Sequence, residues 1–430
     1  MPRLISALVM PLFLALASQP AAATQVPGDV FGGAAAAAAT AATAAATSSR
    51  PGPELRRLPI PPQACPDCPA TADTVFVNDF QNSALARGGS NLLWFDVDPV
   101  DPADPDPVTA CIQARDPYGI LANYHRPGVR VQVLELLSAM RAAGQRRLST
   151  GLLHLRAPGP APEGSWGGTL VDSTGGRLHP QVEANLEQFL ADINATGFDE
   201  ILFRYFPQGE NTAIEWDSFS EDLYQENWQL IERTQGLLEA SGLVFRTDLL
   251  VEGMPRAWFT TLPGGNYFID DDRPANRAWS DYAQRLWRDY VARFGAERSV
   301  GFSFVTDSNS VRTRARVRHI NYVYRMADGS RVLPPVFAFD IYGGDSVSDR
   351  TIFERHHYAM AEIGRDDESW IVAESWFDDA TTAGDLKAAL ETTGRRLEYF
   401  TQWPLDRHVD DCGVNVAAPV AYEAYLRQGF

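Results

Sequence analysis

Histidine and cysteine are scarce in this chain, and their scarcity narrows the chemistry. Seven His occur in 430 residues, and two of them, His356 and His357, lie side by side in a stretch that reads as helix. No cluster of His and Asp forms at strand ends. A metal-dependent deacetylase or phosphoesterase therefore has no ligand set, and no metal or other cofactor is expected. The four cysteines, Cys65, Cys68, Cys111 and Cys412, match no zinc-finger spacing. "CPDC" follows Pro-rich coil instead of a strand, the wrong setting for a redox motif. In an exported chain an even number permits two disulfides, and we expect Cys65 with Cys68 and Cys111 with Cys412. Basic residues are also in deficit: 37 Lys and Arg stand against 55 Asp and Glu, a formal charge of -18. That balance repels phosphate backbones and anionic membranes, which excludes nucleic acid as an expected partner. The one basic run, "VRTRARVRH" from Val311 to His319, reads as a solvated helix face. No G-x-S-x-G turn follows a strand, so nucleophilic serine chemistry lacks support. Past the N-terminus no apolar stretch reaches the roughly 20 residues of a membrane span.

What the chain does have begins with an early Arg3, the apolar "LISALVMPLFLALA" and a small-residue "AAAT". This reads as a signal peptide over 1–23, cleaved near Ala23, and predicts export to the periplasm or the exterior. Residues 24–69 read as an Ala- and Pro-rich linker with little to bury. Residues 70–430 are expected to be one domain. With 45% hydrophobic and 11% aromatic residues, a large core and an aromatic-lined cleft are both within reach. Apolar runs alternate with amphipathic stretches from "NLLWFDVDP" and "GVRVQVLELLSAMRAAG" through to "LEYFTQWPLD", giving about eight strands. Eight alternating units predict an α/β fold, the (β/α)8 TIM barrel, with long loops on the C-terminal face. A doubly wound open sheet is the other reading of such alternation. It would carry a phosphate-type glycine fingerprint after its first strand, and "NLLWFDVDPVDP" has none.

Two carboxylates end apolar strand runs in the same register: Glu252 in "LLVEGM", the fourth strand, and Glu374 in "IVAESW", the seventh. A carboxylate behind an apolar run is costly unless hydrogen bonds or a partner charge hold it. From strands four and seven the pair would face each other across the barrel mouth, as glycoside cleavage requires.

With these residues in place the chain resembles the clan A glycoside hydrolases, retaining barrels with an acid/base Glu ending strand four and a nucleophilic Glu ending strand seven. The resemblance spans about Leu92 to Asp406 and rests on strand order. It implies that Glu252 is the acid/base and Glu374 the nucleophile. By the same resemblance Arg156 is the arginine near the nucleophile, Tyr342 the tyrosine that bonds it, and Trp403 the tryptophan under the sugar. One departure is Val251, which stands where the clan has an Asn. Glu210, after the third strand, and Asp307, after the fifth, are the alternative acid/base residues.

Arg204, Trp258, Trp376 and Gln402 complete the expected substrate-binding set, and the aromatics Trp166 and Trp216 are further candidates for stacking on sugar rings. Glu374 must be ionised, so it needs donors such as Arg156 and Tyr342, whereas Glu252 must start protonated, as apolar neighbours such as Met254 and Trp258 favour. The expectation is a secreted glycoside hydrolase that cleaves a poly- or oligosaccharide by a retaining two-carboxylate route. A non-catalytic carbohydrate-binding barrel is the alternative.

Overall fold

The computed structural model describes residues 85–95, 118–159, 169–256, 259–261, 268–270, 274–307, 309–344, 346–404, 407 and 419–430. Eight parallel strands form its centre: β1 Gly89–Asn91, β2 Arg147–Leu155, β3 Glu200–Pro207, β4 Phe245–Asp248, β5 Ser299–Gly301, β6 Val336–Asp340, β7 Ser369–Glu374 and β8 Leu397–Gln402. They pair in chain order, and β1 also pairs with β8. Between β5 and β6 the circle is completed just past β5, where Phe304 N–H donates to Ala338 at 2.9 Å and Asp340 N–H donates to Phe304 at 2.8 Å. The sheet is thus a closed (β/α)8 barrel, as the alternation predicts.

A helix follows each strand: α1 Pro127–Ala142, α2 Pro180–Thr196, α3 Glu221–Ala240, α4 Pro274–Phe294, α5 Ser310–Val323, α6 Asp349–Glu362, α7 Ala380–Thr393 and α8 Glu423–Gln428. Their starts are written in the sequence. Pro127 and Pro180 occupy first turns, and Ser220, Asn309, Ser348 and Asp379 accept hydrogen bonds from the first free N–H groups. On α1, Val129, Val133, Leu137 and Met140 are buried at helical spacing against the barrel's outer face. No helix among the described residues is long and apolar enough to cross a membrane.

Inside the barrel, inward positions recur every second residue. Leu202, Val300, Val336, Ala338, Ile371, Ala373 and Tyr399 form the apolar filling of the barrel. Below it, Glu200 is held by Arg246 at 3.0 Å and by the Tyr399 hydroxyl at 3.2 Å. Above it, at the C-terminal ends of the strands, the interior turns polar.

Two sequence boundaries shift. The first strand sits at Gly89–Asn91, and Trp94–Phe95 leaves the barrel to pair antiparallel with Tyr118–Gly119. Glycine explains the position, because a Cβ at Gly88 would lie 1.7 Å from the Phe400 carbonyl and one at Gly89 1.8 Å from that of Arg147. The fourth strand ends at Asp248, and "LLVEGM" turns over the barrel mouth, closed by Gly253 N–H donating to Leu250 at 2.9 Å. The basic run lies on α5 but is not all solvated: Arg316 and His319 are buried, whereas Arg314 and Arg318 reach the exposed Glu362.

Gly151 in β2 pairs with Arg204 in β3, and a Cβ there would meet the Arg204 carbonyl at 2.0 Å. Gly151→Ala must force the two strands apart where Arg204 enters the barrel. We expect it to destabilise the fold by roughly 1–3 kcal/mol, read from denaturant midpoints. An unchanged midpoint would contradict this packing.

The signal segment, the linker, Trp166, Trp258 and all four cysteines lie outside the described residues.

Candidate active site

Arg204 is the hub of the barrel mouth. It projects inward from β3 among Glu200, Leu202 and Phe206, and it is fully buried. Its guanidinium divides among three strands. Nε donates to Asp248 of β4 at 3.0 Å, one Nη donates to both oxygens of Asp340 of β6 at 3.0 and 2.9 Å, and the other Nη donates to Glu374 of β7. The planar fork of an arginine suits such division, which a lysine cannot reproduce. One guanidinium cannot neutralise three carboxylates. Burial, only partly offset by Arg204, therefore pushes Asp248, Asp340 and Glu374 all above the usual carboxyl range.

Glu374 is 7% exposed at the end of β7. Besides Arg204, it accepts a hydrogen bond at 2.9 Å from the Tyr342 hydroxyl, which follows β6. Burial and the negative charge of Glu374 hold the Tyr342 phenol well above its ordinary value, so it stays a donor. Two charge- or phenol-based donors on one carboxylate favour its ionised form.

Glu252 contrasts with it. It stands half-buried in the turn after β4 with φ +52, a left-handed conformation rarely adopted by a glutamate. No hydrogen-bond donor among the described residues reaches its carboxyl. Burial comes first, then the negative charge of Glu374, and together they raise Glu252 to about 8, against the opposing pull of Arg316 and Arg204. One carboxylate clamped by donors and a second kept protonated near it is the division of labour that acid/base chemistry needs.

The other expected residues are distributed differently. Arg156 does not reach Glu374: from the loop after β2 it bonds Glu226 of α3 at 2.9 Å, and Arg204 from β3 takes the place beside the nucleophile candidate. Arg204 is in turn no substrate contact, because it is buried and its donors are engaged. Gln402 is buried too, donating to Ser90 at 2.9 Å and Ala421 at 2.6 Å and accepting from Asp378 N–H at 2.8 Å. Asp307 pairs with Arg316 at 2.8 Å, which holds it below the usual range despite burial, so it is unsuited to donate a proton. Glu210 is exposed on the turn Gly209–Asn211 and does not join the buried carboxylates.

The described tryptophans are packed, not displayed. Trp403 is 5% exposed and meets Trp94 edge-on at 5.2 Å, and Trp376 packs on Tyr342 at 5.1 Å while its Nε1 donates to Gly343 at 2.8 Å. They form an apolar collar at the mouth with Leu93, Leu153 and Phe206, and the half-buried Val251 leans on it. Trp216 is buried against Tyr282. His154 is a satisfied, neutral histidine bonded to Ser173 at 3.0 Å.

Sequence reasoning missed Asp248 and Ser303 altogether. Asp248 was open to the argument applied to Glu374, a carboxylate closing an apolar run. Ser303 gave no signal of its own. Elsewhere, a groove of about 530 Å³ is lined by residues of α1, α2 and the turn before α1, including Tyr124, His125 and Arg130, with no barrel strand contributing.

No protein-family model and no curated protein sequence matches the chain. Among solved structures it is similar to the endo-β-1,4-glucanase Xac0029 from Xanthomonas axonopodis pv. citri, at 12% identity over 68% of this chain and 90% of that one, with a TM-score of 0.38. It is also similar to an endocellulase from Pyrococcus horikoshii, at 12% identity over 73% and 87% with a TM-score of 0.41. A third is the endo-1,4-β-mannanase from Rhizomucor miehei, at 13% identity over 69% and 90% with a TM-score of 0.38. Similarity at this level leaves the activity to be argued from the residues of the site.

Proposed function

We propose that this chain is an exported glycoside hydrolase that cleaves a poly- or oligosaccharide with retention of anomeric configuration. One observation carries the reading: Glu374, clamped by Arg204 and Tyr342, has a second carboxyl, Glu252, near enough to feel its charge and itself held near 8. Glu374 attacks the anomeric carbon, and Glu252 protonates the leaving oxygen. Glu252, now ionised, then takes a proton from a water whose oxygen attacks the anomeric carbon, which breaks the ester to Glu374 and releases the sugar. Burial and the negative charge of Glu374 keep Glu252 protonated until it is needed.

The pH profile tests these roles. kcat/KM requires Glu374 ionised and Glu252 protonated. Glu374 is raised from its ordinary 4.5, so the acid limb lies above that value, and activity falls again as pH rises through about 8 and Glu252 loses its proton. A dinitrophenyl leaving group departs without a proton, so with such a substrate the alkaline limb should vanish. It should also be missing in Glu252→Gln, with a loss of about 10²–10⁴-fold on unactivated saccharides. An alkaline limb that persists in Glu252→Gln would remove Glu252 from the acid role. Saccharide binding without turnover by the unaltered protein would favour a carbohydrate-binding barrel instead.

A further inference from the structure

Glu252 cannot hold its backbone conformation unaided, and one side chain outside the reacting pair meets the strained residue directly. Ser303 follows β5 just beyond Gly301, whose φ of +72 turns the chain so that Phe302 and Phe304 stay in the outer core. Ser303 itself is fully buried. Its hydroxyl oxygen accepts the N–H of Glu252 at 2.8 Å and an Nη of Arg204 at 3.3 Å. Its carbonyl accepts the N–H of Met254 at 3.1 Å, and its own N–H donates to Asp248 at 3.1 Å. Ser303 thus pins the chain on both sides of Glu252 and fastens it to the guanidinium that holds Glu374.

Building on the glycosidase reading, we infer that Ser303 is a positioning residue that fixes Glu252 relative to Glu374 through its hydroxyl. Without the hydroxyl, the Glu252 N–H loses its acceptor, and the left-handed turn has an easy route to relax. A shift of the carboxyl by an ångström misaligns proton transfer while leaving the Arg204 clamp on Glu374 in place, since three other bonds hold that arginine.

The test compares two substrates in each variant: a dinitrophenyl glycoside, whose departure needs no acid, and an oligosaccharide, whose departure does. Ser303→Ala should lower kcat/KM about 10-fold or more on the oligosaccharide and less than about 3-fold on the dinitrophenyl glycoside. Because both rates come from the same preparation, their ratio does not depend on the folded fraction. Ser303→Thr keeps the hydroxyl and should keep the wild-type ratio. An unchanged ratio in Ser303→Ala overturns the inference alone, whether both rates fall together or neither falls. If the unaltered protein hydrolyses neither substrate, the glycosidase reading fails, and the inference fails with it.

Discussion

Glu374→Ala is expected to lower kcat by about 10⁴-fold or more, the scale on which removal of a covalent nucleophile acts. The protein should nevertheless remain folded, and its stability should fall less steeply than that of the unaltered chain as pH rises from about 4.5 to 7. Arg204 faces three buried carboxylates, and Glu374→Ala removes one of them. Because the carboxyl of Glu374 is raised in the folded state, the native protein binds more protons than the unfolded chain above the ordinary carboxyl value. Stability therefore falls as pH rises past about 4.5, and the variant escapes that part of the loss. Azide, small enough to enter the vacated space, should restore turnover of an activated glycoside and give a glycosyl azide of inverted configuration. A variant that is inactive because it is unfolded, or one that keeps more than a hundredth of its activity, would contradict the assignment.

Arg204→Met carries the second large effect, on the fold itself. Removing the guanidinium leaves Asp248, Asp340 and Glu374 buried with no counter-charge in contact among the described residues. Breaking a buried ion network by removing one partner costs roughly 3–5 kcal/mol. The cost should depend on pH with a definite sign. Without Arg204 the three carboxyls rise further in the folded state, so the native form is penalised most where unfolded carboxyls are ionised, at pH 7. At about pH 3, where protons neutralise most of these carboxyls in both states, the gap from the unaltered protein should narrow. Denaturant midpoints at the two pH values measure this, and an equal loss at both would show that Arg204 serves packing instead of charge balance. Arg204→Lys keeps the charge but cannot divide it among three strands, so it should fall between the two.

The barrel was legible because its evidence is local. Each strand-to-helix alternation, each N-terminal cap and each glycine stop is written within about 20 residues, and eight such units leave few ways to close. Glu374 and Glu252 were legible for a similar reason, since a charged residue closing an apolar run is unusual wherever it occurs. The partners were not. Whether Arg156 or Arg204 reaches Glu374 depends on where β2 ends and which β3 positions point inward after the barrel closes, neither of which a short window contains. The packing of the tryptophans was illegible for a different reason: a large ring near a strand end is the same in sequence whether it is displayed or packed. Trp376 and Trp403 pack into one cluster with Trp94, Phe206 and Tyr342. Ser303 lay beyond sequence reading because its hydroxyl matters only through the turn that brings Glu252 N–H to it across the β4 and β5 strand ends.

If Glu374 is the nucleophile it forms a covalent bond to sugar, and that bond can be trapped. The protein would be incubated with 2-deoxy-2-fluoro glycosides carrying a dinitrophenyl leaving group, in the gluco, manno, galacto and xylo configurations, then digested, with the labelled peptide identified by mass spectrometry. Stoichiometric label on Glu374, from the sugar configuration the enzyme accepts, is the result the account predicts. Label on another carboxylate, or steady hydrolysis of the corresponding unfluorinated substrate with inversion and no adduct, would contradict it.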